Sequence, residues 1–152
     1  MIRITRLTDY GIVLMSHLAT TPERRFAAPD LAAEAHLPLP MVSKILKQLA
    51  REGLLESHRG SHGGYALARP AEEISVVEII TALEGPIAVT ECIEDAPGVC
   101  SAEPFCPVSS NWRRINRAIR EALADITLAE MRLPAAPRLV MLGRRSPATP
   151  VM

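Results

Sequence analysis

The sequence predicts a mainly α-helical fold with a small β-hairpin wing: a winged helix-turn-helix followed by a long dimerisation helix. Three observations carry that expectation. Residues 29–53 read as short helix, tight turn and amphipathic helix. A glycine-rich hairpin pattern follows directly. From Asn111 a one-sided apolar period runs for nearly three heptads.

Taken in order, Ile12, Leu14, Met15 and Leu18 recur at helical spacing between Thr8 and Ala19. Thr8 is the expected N-cap, with Asp9 in the positive first turn. After a polar turn at residues 21–25, a short helix is expected over Pro29–Ala35, with proline at its first position. His36 to Leu39 leave room only for a tight connection. Pro40 opens the next helix, whose Val42, Ile45, Leu46 and Leu49 form an apolar stripe, and Gly53 stands where a C-terminal cap belongs. Residues 54–58 and 65–69 are short strand candidates around the tip Arg59-Gly60-Ser61-His62-Gly63-Gly64. Ser75-Val76-Val77-Glu78 is a capping box for a helix ending at Gly85.

Periodicity is lost over 86–110, where Pro86, Pro97, Gly98, Pro104 and Pro107 predict a loop. Trp112, Ile115, Ile119, Ala122, Ile126 and Ala129 then mark the long helix, with Leu123 broadening its seam. Such a late, one-sided helix is expected to pack on a second copy of itself; the alternative is a helix folded back on its own domain. The expected organisation is a DNA-binding domain over 1–85, a cysteine loop over 86–110, a dimerisation helix over 111–133 and a disordered tail over 134–152.

The chain has 152 residues, with 17 Lys and Arg balanced by 17 Asp and Glu. Net charge therefore says nothing about nucleic acid, but its distribution does. Residues 36–69 carry Lys44, Lys47, Arg51, Arg59 and Arg69 against Glu52 and Glu56. Residues 91–106 carry Glu91, Glu94, Asp95 and Glu103 without a base, and Arg113, Arg114, Arg117 and Arg120 follow without an acid. No apolar run approaches the ~20 residues of a membrane span, and the N-terminus lacks a signal-peptide pattern. A soluble cytoplasmic protein is expected.

In a helix-turn-helix the second helix enters the major groove. With the apolar stripe turned inward, Met41, Ser43, Lys44, Lys47 and Gln48 are expected to face outward. Ser43 and Gln48 can exchange hydrogen bonds with base edges, and Met41 can touch a thymine methyl. Lys44 can reach guanine or phosphate, while Lys47 and Arg51 suit phosphates. On the wing, Arg59 suits a narrow minor groove, and His62 is a further candidate contact. The bland alternative is a solvated basic face on a protein-binding winged helix.

Cys92, Cys100 and Cys106 are spaced C-x7-C-x5-C within the one irregular segment. Thiolates are the soft donors that iron–sulfur clusters require, whereas structural zinc usually shows paired C-x2-4-C units. Spacing alone leaves cluster binding, zinc, thiol redox chemistry and incidental thiols open. No C-x-x-C, H-E-x-x-H or G-x-S-x-G pattern points to an enzyme, and His17, His36, His58 and His62 show no ligand spacing.

Several stretches converge on one family: Ile4-Thr5-Arg6-Leu7-Thr8-Asp9-Tyr10-Gly11, Asp30-Leu31-Ala32, residues 46–54, residues 59–67, and the three-cysteine loop followed by Trp112. Together, over about residues 1–131, they resemble the bacterial iron–sulfur-binding winged-helix regulators. That group contains the IscR and NsrR proteins and the regulators of SUF cluster-assembly operons, which this chain resembles most. The resemblance implies a homodimer on an inverted repeat of double-stranded DNA. It also implies an iron–sulfur cluster on Cys92, Cys100 and Cys106, and repression of iron–sulfur assembly genes; sensing of nitric oxide or oxidants, through the cluster or directly through the cysteine thiols, is the alternative. Where IscR-like members have a histidine ligand, this chain has Ser109. Asp9 matches the aspartate that NsrR-like members supply from the other subunit. The implied set is therefore Cys92, Cys100, Cys106 and Asp9 in trans, favouring [4Fe–4S] over [2Fe–2S]. The alternative role of Asp9 is favourable placement in the helix dipole.

Overall fold

The computed structural model describes residues 3–93 and 100–132. Glu94, Asp95, Pro97, Gly98 and the expected tail over 134–152 lie outside the described residues. Helix α1 (Arg6–Thr20) is followed by α2 (Ala28–Glu34), α3 (Leu39–Arg51), β1 (Leu55–His58) and β2 (Gly64–Leu67). A 3-10 turn at Ala71–Glu73 leads to α4 (Val76–Glu84), a second at Glu103–Phe105 to α5 (Ser109–Ala124), and α6 is Leu128–Arg132.

The helix-turn-helix forms as the pattern predicts. α2 ends in a left-handed residue, His36 at φ 53°, so that the Leu37 N–H returns 2.9 Å to the Ala32 carbonyl. Proline near the start of α3 then blocks continuation of the same helix. Val42, Ile45, Leu46 and Leu49 are fully buried against Leu14, Met15 and Leu18 of α1 and Ile79 and Leu83 of α4. Burial of each such side chain is worth about 1.5–3 kcal/mol.

β1 and β2 pair antiparallel from Leu55↔Leu67 to His58↔Gly64. Phe26 joins the other edge of β2 through reciprocal bonds with Tyr65 of 3.0 and 2.8 Å. The approach is tight: a Cβ on Gly64 would stand 2.7 Å from the Phe26 carbonyl oxygen, and Gly64 sits at φ 139°. Only glycine combines that backbone with that spacing.

One expectation about a helix cap needs correction. The N-cap of α1 is Thr5, whose hydroxyl accepts from the Thr8 N–H, rather than Thr8. Thr8 is buried, and its hydroxyl donates instead to the Glu84 carboxylate at the end of α4. The capping box at Ser75 and Glu78 forms as expected.

The long helix is also different. It starts at Ser109, stops at Ala124, and does not run unbroken through Ala129. Residues 126–128 extend and pair with residues 74–76: Val76 N–H donates to Ile126 O at 2.9 Å, and Leu128 N–H to Ile74 O at 2.8 Å. Leu128 is fully buried, so α6 folds back on the core beside α1. The folded-back alternative thus holds for α6. α5 stands largely outside the core, with Trp112 and Ile115 exposed.

Candidate nucleic-acid interface and cysteine loop

The residues expected to face DNA divide into two groups. Lys44, Lys47 and Arg51 are exposed along α3, and Arg59 and His62 are exposed on the hairpin tip. Among the described residues none of these five enters an ion pair, although Glu52 and Glu56 lie nearby in sequence. The cationic groups remain available to an external anion. Ser43 is half-buried on the same helix, and Met41 is half-buried and packed partly against the core.

Gln48 does not face outward. Its amide donates to the carbonyls of Ala82 at 2.9 Å and Leu83 at 3.1 Å. The last carbonyls of α4 have no partner within their own helix, and Gln48 satisfies two of them. This side chain ties the recognition helix to α4 and is not offered to base edges.

The same end of α4 is tied to α1. The Glu84 carboxylate accepts from Thr5 Oγ1 at 2.7 Å, from the Thr5 N–H at 3.3 Å and from Thr8 Oγ1. Burial pushes the Glu84 carboxyl up, but these donors outweigh it and hold it below its ordinary value. Sequence reading missed this clasp; its only local trace is a threonine pair ahead of the first apolar turn.

The chain then enters the cysteine loop at Gly85. Cys92 is buried, 7% exposed, with its sulfur 3.1 Å from Thr90 Oγ1. Cys100 and Cys106 are half-buried, and all three are free thiols. Cys100, Glu103 and Cys106 follow one another in successive turns, with the Glu103 N–H on Cys100 O and the Cys106 N–H on Glu103 O, each at 3.2 Å. Among the described residues no group of three or more His, Cys, Asp or Glu lies close enough together to hold a metal. Cysteine is the donor type an iron–sulfur cluster takes, but Cys92, Cys100 and Cys106 do not stand as one such group among the described residues. Asp9 is exposed in the first turn of α1, without an ion pair among the described residues. Ser109 opens α5.

Asn116 is the second residue that sequence reading missed. It is only 3% exposed, and its Oδ1 accepts from the Val89 N–H at 3.2 Å, pinning the loop that leads to Cys92. The available signal was a polar residue between Trp112 and Ile119 in an otherwise apolar seam.

A recognition helix with a free cationic face, followed by a hairpin wing, defines a winged-helix regulator. The match is specific: the family described as "Rrf2: Iron-dependent Transcriptional regulator" covers residues 4–132, and the chain belongs to it. An HTH-type transcriptional regulator of Mycobacterium tuberculosis is 33% identical over 141 residues, 91% of this chain and 86% of the relative. The solved structure of CymR, the global cysteine regulator of B. subtilis, is 28% identical with a TM-score of 0.67, covering 87% of this chain and 97% of that one. T. potens IscR is 30% identical with a TM-score of 0.65, covering 86% of this chain and 85% of its own. The protein is accordingly a transcriptional regulator, not an enzyme. No helix among the described residues is long and apolar enough to cross a membrane.

Proposed function

We propose that this regulator binds an inverted-repeat operator in double-stranded DNA as a homodimer and represses iron–sulfur assembly genes of the SUF type. The row of Lys44, Lys47 and Arg51, with Arg59 and His62 on the wing, none of them in an ion pair among the described residues, carries the DNA reading. Ser43 and Met41 are the side chains left to meet base edges, now that Gln48 is engaged elsewhere. The domain over 1–85 carries this surface, the loop over 86–110 carries the sensor, and α5, the part of 111–133 that stands outside the core, carries the dimer contact. Support for the dimer comes from exposed Trp112 and Ile115, and from a groove of about 610 Å³ lined by Ile4, Ile80, Ile87, Val89, Ile119 and Leu123.

The sensor proposed is an iron–sulfur cluster, [4Fe–4S] in preference to [2Fe–2S], on Cys92, Cys100 and Cys106, with Asp9 of the second copy as fourth ligand. Bound there, the cluster would supply a redox- and nitric-oxide-sensitive centre. The chain's own part is wiring. The cysteine loop leaves α4 at Gly85; one residue earlier Glu84 holds α1, and Gln48 holds α3 to the same helix end. A change in the loop therefore bears on the recognition helix through Gln48 and on α1 through Glu84. The second reading is direct sensing by thiols without a cluster. It is favoured by the three free cysteines and by likeness to CymR.

Fluorescence anisotropy over a salt series tests the DNA reading. The Lys44→Ala/Lys47→Ala variant should bind all sequences more weakly and lower the log–log salt slope by about two. An unchanged slope overturns it. Anaerobic purification separates the sensors: a brown protein with iron and sulfide, bleached by Cys106→Ser and shortened in cluster lifetime by Asp9→Ala, supports the full ligand set. A colourless protein leaves thiol sensing.

A further inference from the structure

α5 has two chemically distinct sides. Trp112, Ile115, Ile119, Ala122 and Leu123 occupy one; Arg113, Arg117 and Arg120, spaced by four and three residues, occupy another. The arginine side does not face open solvent alone. With Val77 of α4, Ile93, Asn116 and Glu121 it lines a cavity of about 360 Å³. Pairing of two copies through the apolar side would leave this cavity within each chain.

We propose that this cavity binds a small multivalent anion, a carboxylate or phosphate compound, on Arg117, Arg120 and Asn116. Arg113 is engaged with Glu103 at 3.3 Å, but Arg117 and Arg120 make no ion pair among the described residues. Two free guanidiniums on successive turns offer forked donors suited to oxyanions. Asn116 supplies the independent observation. It is almost wholly buried, and among the described residues only its Oδ1 is hydrogen-bonded and no fully buried side-chain nitrogen or oxygen lacks a partner. Its Nδ2 therefore reaches accessible space, and the cavity is the space this residue lines. An amide N–H on the cavity wall is a donor that an oxyanion in the cavity can meet.

Glu121 on the same wall would repel a bare anion and accept from a hydroxyl. An anion that also carries a hydroxyl group suits the lining best. Because Asn116 Oδ1 also holds Val89, an anion here would brace the stretch that leads to Cys92.

Isothermal titration calorimetry of the full chain with citrate and with inorganic phosphate, each against sodium chloride at matched ionic strength, tests the site. Saturable binding is expected, and the citrate and phosphate arms tell a hydroxycarboxylate from a phosphate ligand. Arg117→Ala/Arg120→Ala should weaken binding by at least about tenfold. Arg117→Lys, which keeps charge but loses the fork, should lose less. Heats no larger than those of chloride, or equal affinity in the double variant, overturn the proposal. So does a double variant that only lowers the salt slope of DNA binding, which would make the arginines a phosphate-backbone contact. DNA affinity is not the primary readout, so the site can fail while the DNA reading stands, and the reverse.

Discussion

Gln48 illustrates how one side chain can change roles between sequence and structure. On a helical wheel it borders the outer face of α3, and glutamine is a good reader of adenine. α4 ends against that border, and its orphan carbonyls take both amide protons' attention at 2.9 and 3.1 Å. Gln48→Ala should therefore cost about 1–3 kcal/mol of folding stability, measured by urea denaturation, and leave the preference among operator sequences unchanged. Loss of preference at one base position would return Gln48 to the groove. The outward placement of Lys44, Lys47 and Arg51 was legible from sequence because no carboxylate among the described residues pairs with them. Asn116 was not, since an isolated polar residue in a seam does not say what it holds.

At the scale of elements, the break between α5 and α6 is the main departure from periodicity. Thr127 and Glu130 form reciprocal bonds at the start of α6: Thr127 N–H to Glu130 Oε2 at 2.8 Å, and Glu130 N–H to Thr127 Oγ1 at 3.3 Å. That Thr-x-x-Glu pattern is a helix-start signal within an apparently continuous helix. Thr127→Ala should lower stability by about 1 kcal/mol, read as a lower urea midpoint with loosened protection of α6 amides in hydrogen exchange.

The Glu84 clasp makes a second prediction. Its carboxyl lies below the ordinary value of 4.5 when folded. Its contribution is therefore full above that value and is lost as pH falls through the lower folded one. Glu78, which burial raises but Ser75 and Arg69 lower more, behaves alike. Thermal melts should show stability falling on acidification below about pH 4.5, and Glu84→Gln should flatten that fall. An identical acid profile in the variant would show that the clasp adds nothing.

For the molecule as a whole, α5 is an element whose apolar side lacks a complete neighbour among the described residues of its own chain. Ile115→Glu should give monomers in sedimentation velocity. It should also weaken binding to the proposed inverted repeat by about a hundredfold, as two linked half-sites become one, while leaving the fold intact because Ile115 is exposed. The helix-turn-helix, the wing, the capping box at Ser75 and the cationic row were all determined by the sequence alone. Each depends on residues close along the chain: apolar spacing, glycine at the turn, a cap three residues from its partner. Only the tertiary structure decided where Gln48 points, that Leu128 enters the core, that Glu84 joins α4 to α1, and that Asn116 faces an arginine-lined cavity. These depend on which helix end lies beside which side chain, a relation set by packing between distant segments. That is why the cysteine loop could be located from sequence, while its links to α1 and to the recognition helix had to be seen in three dimensions.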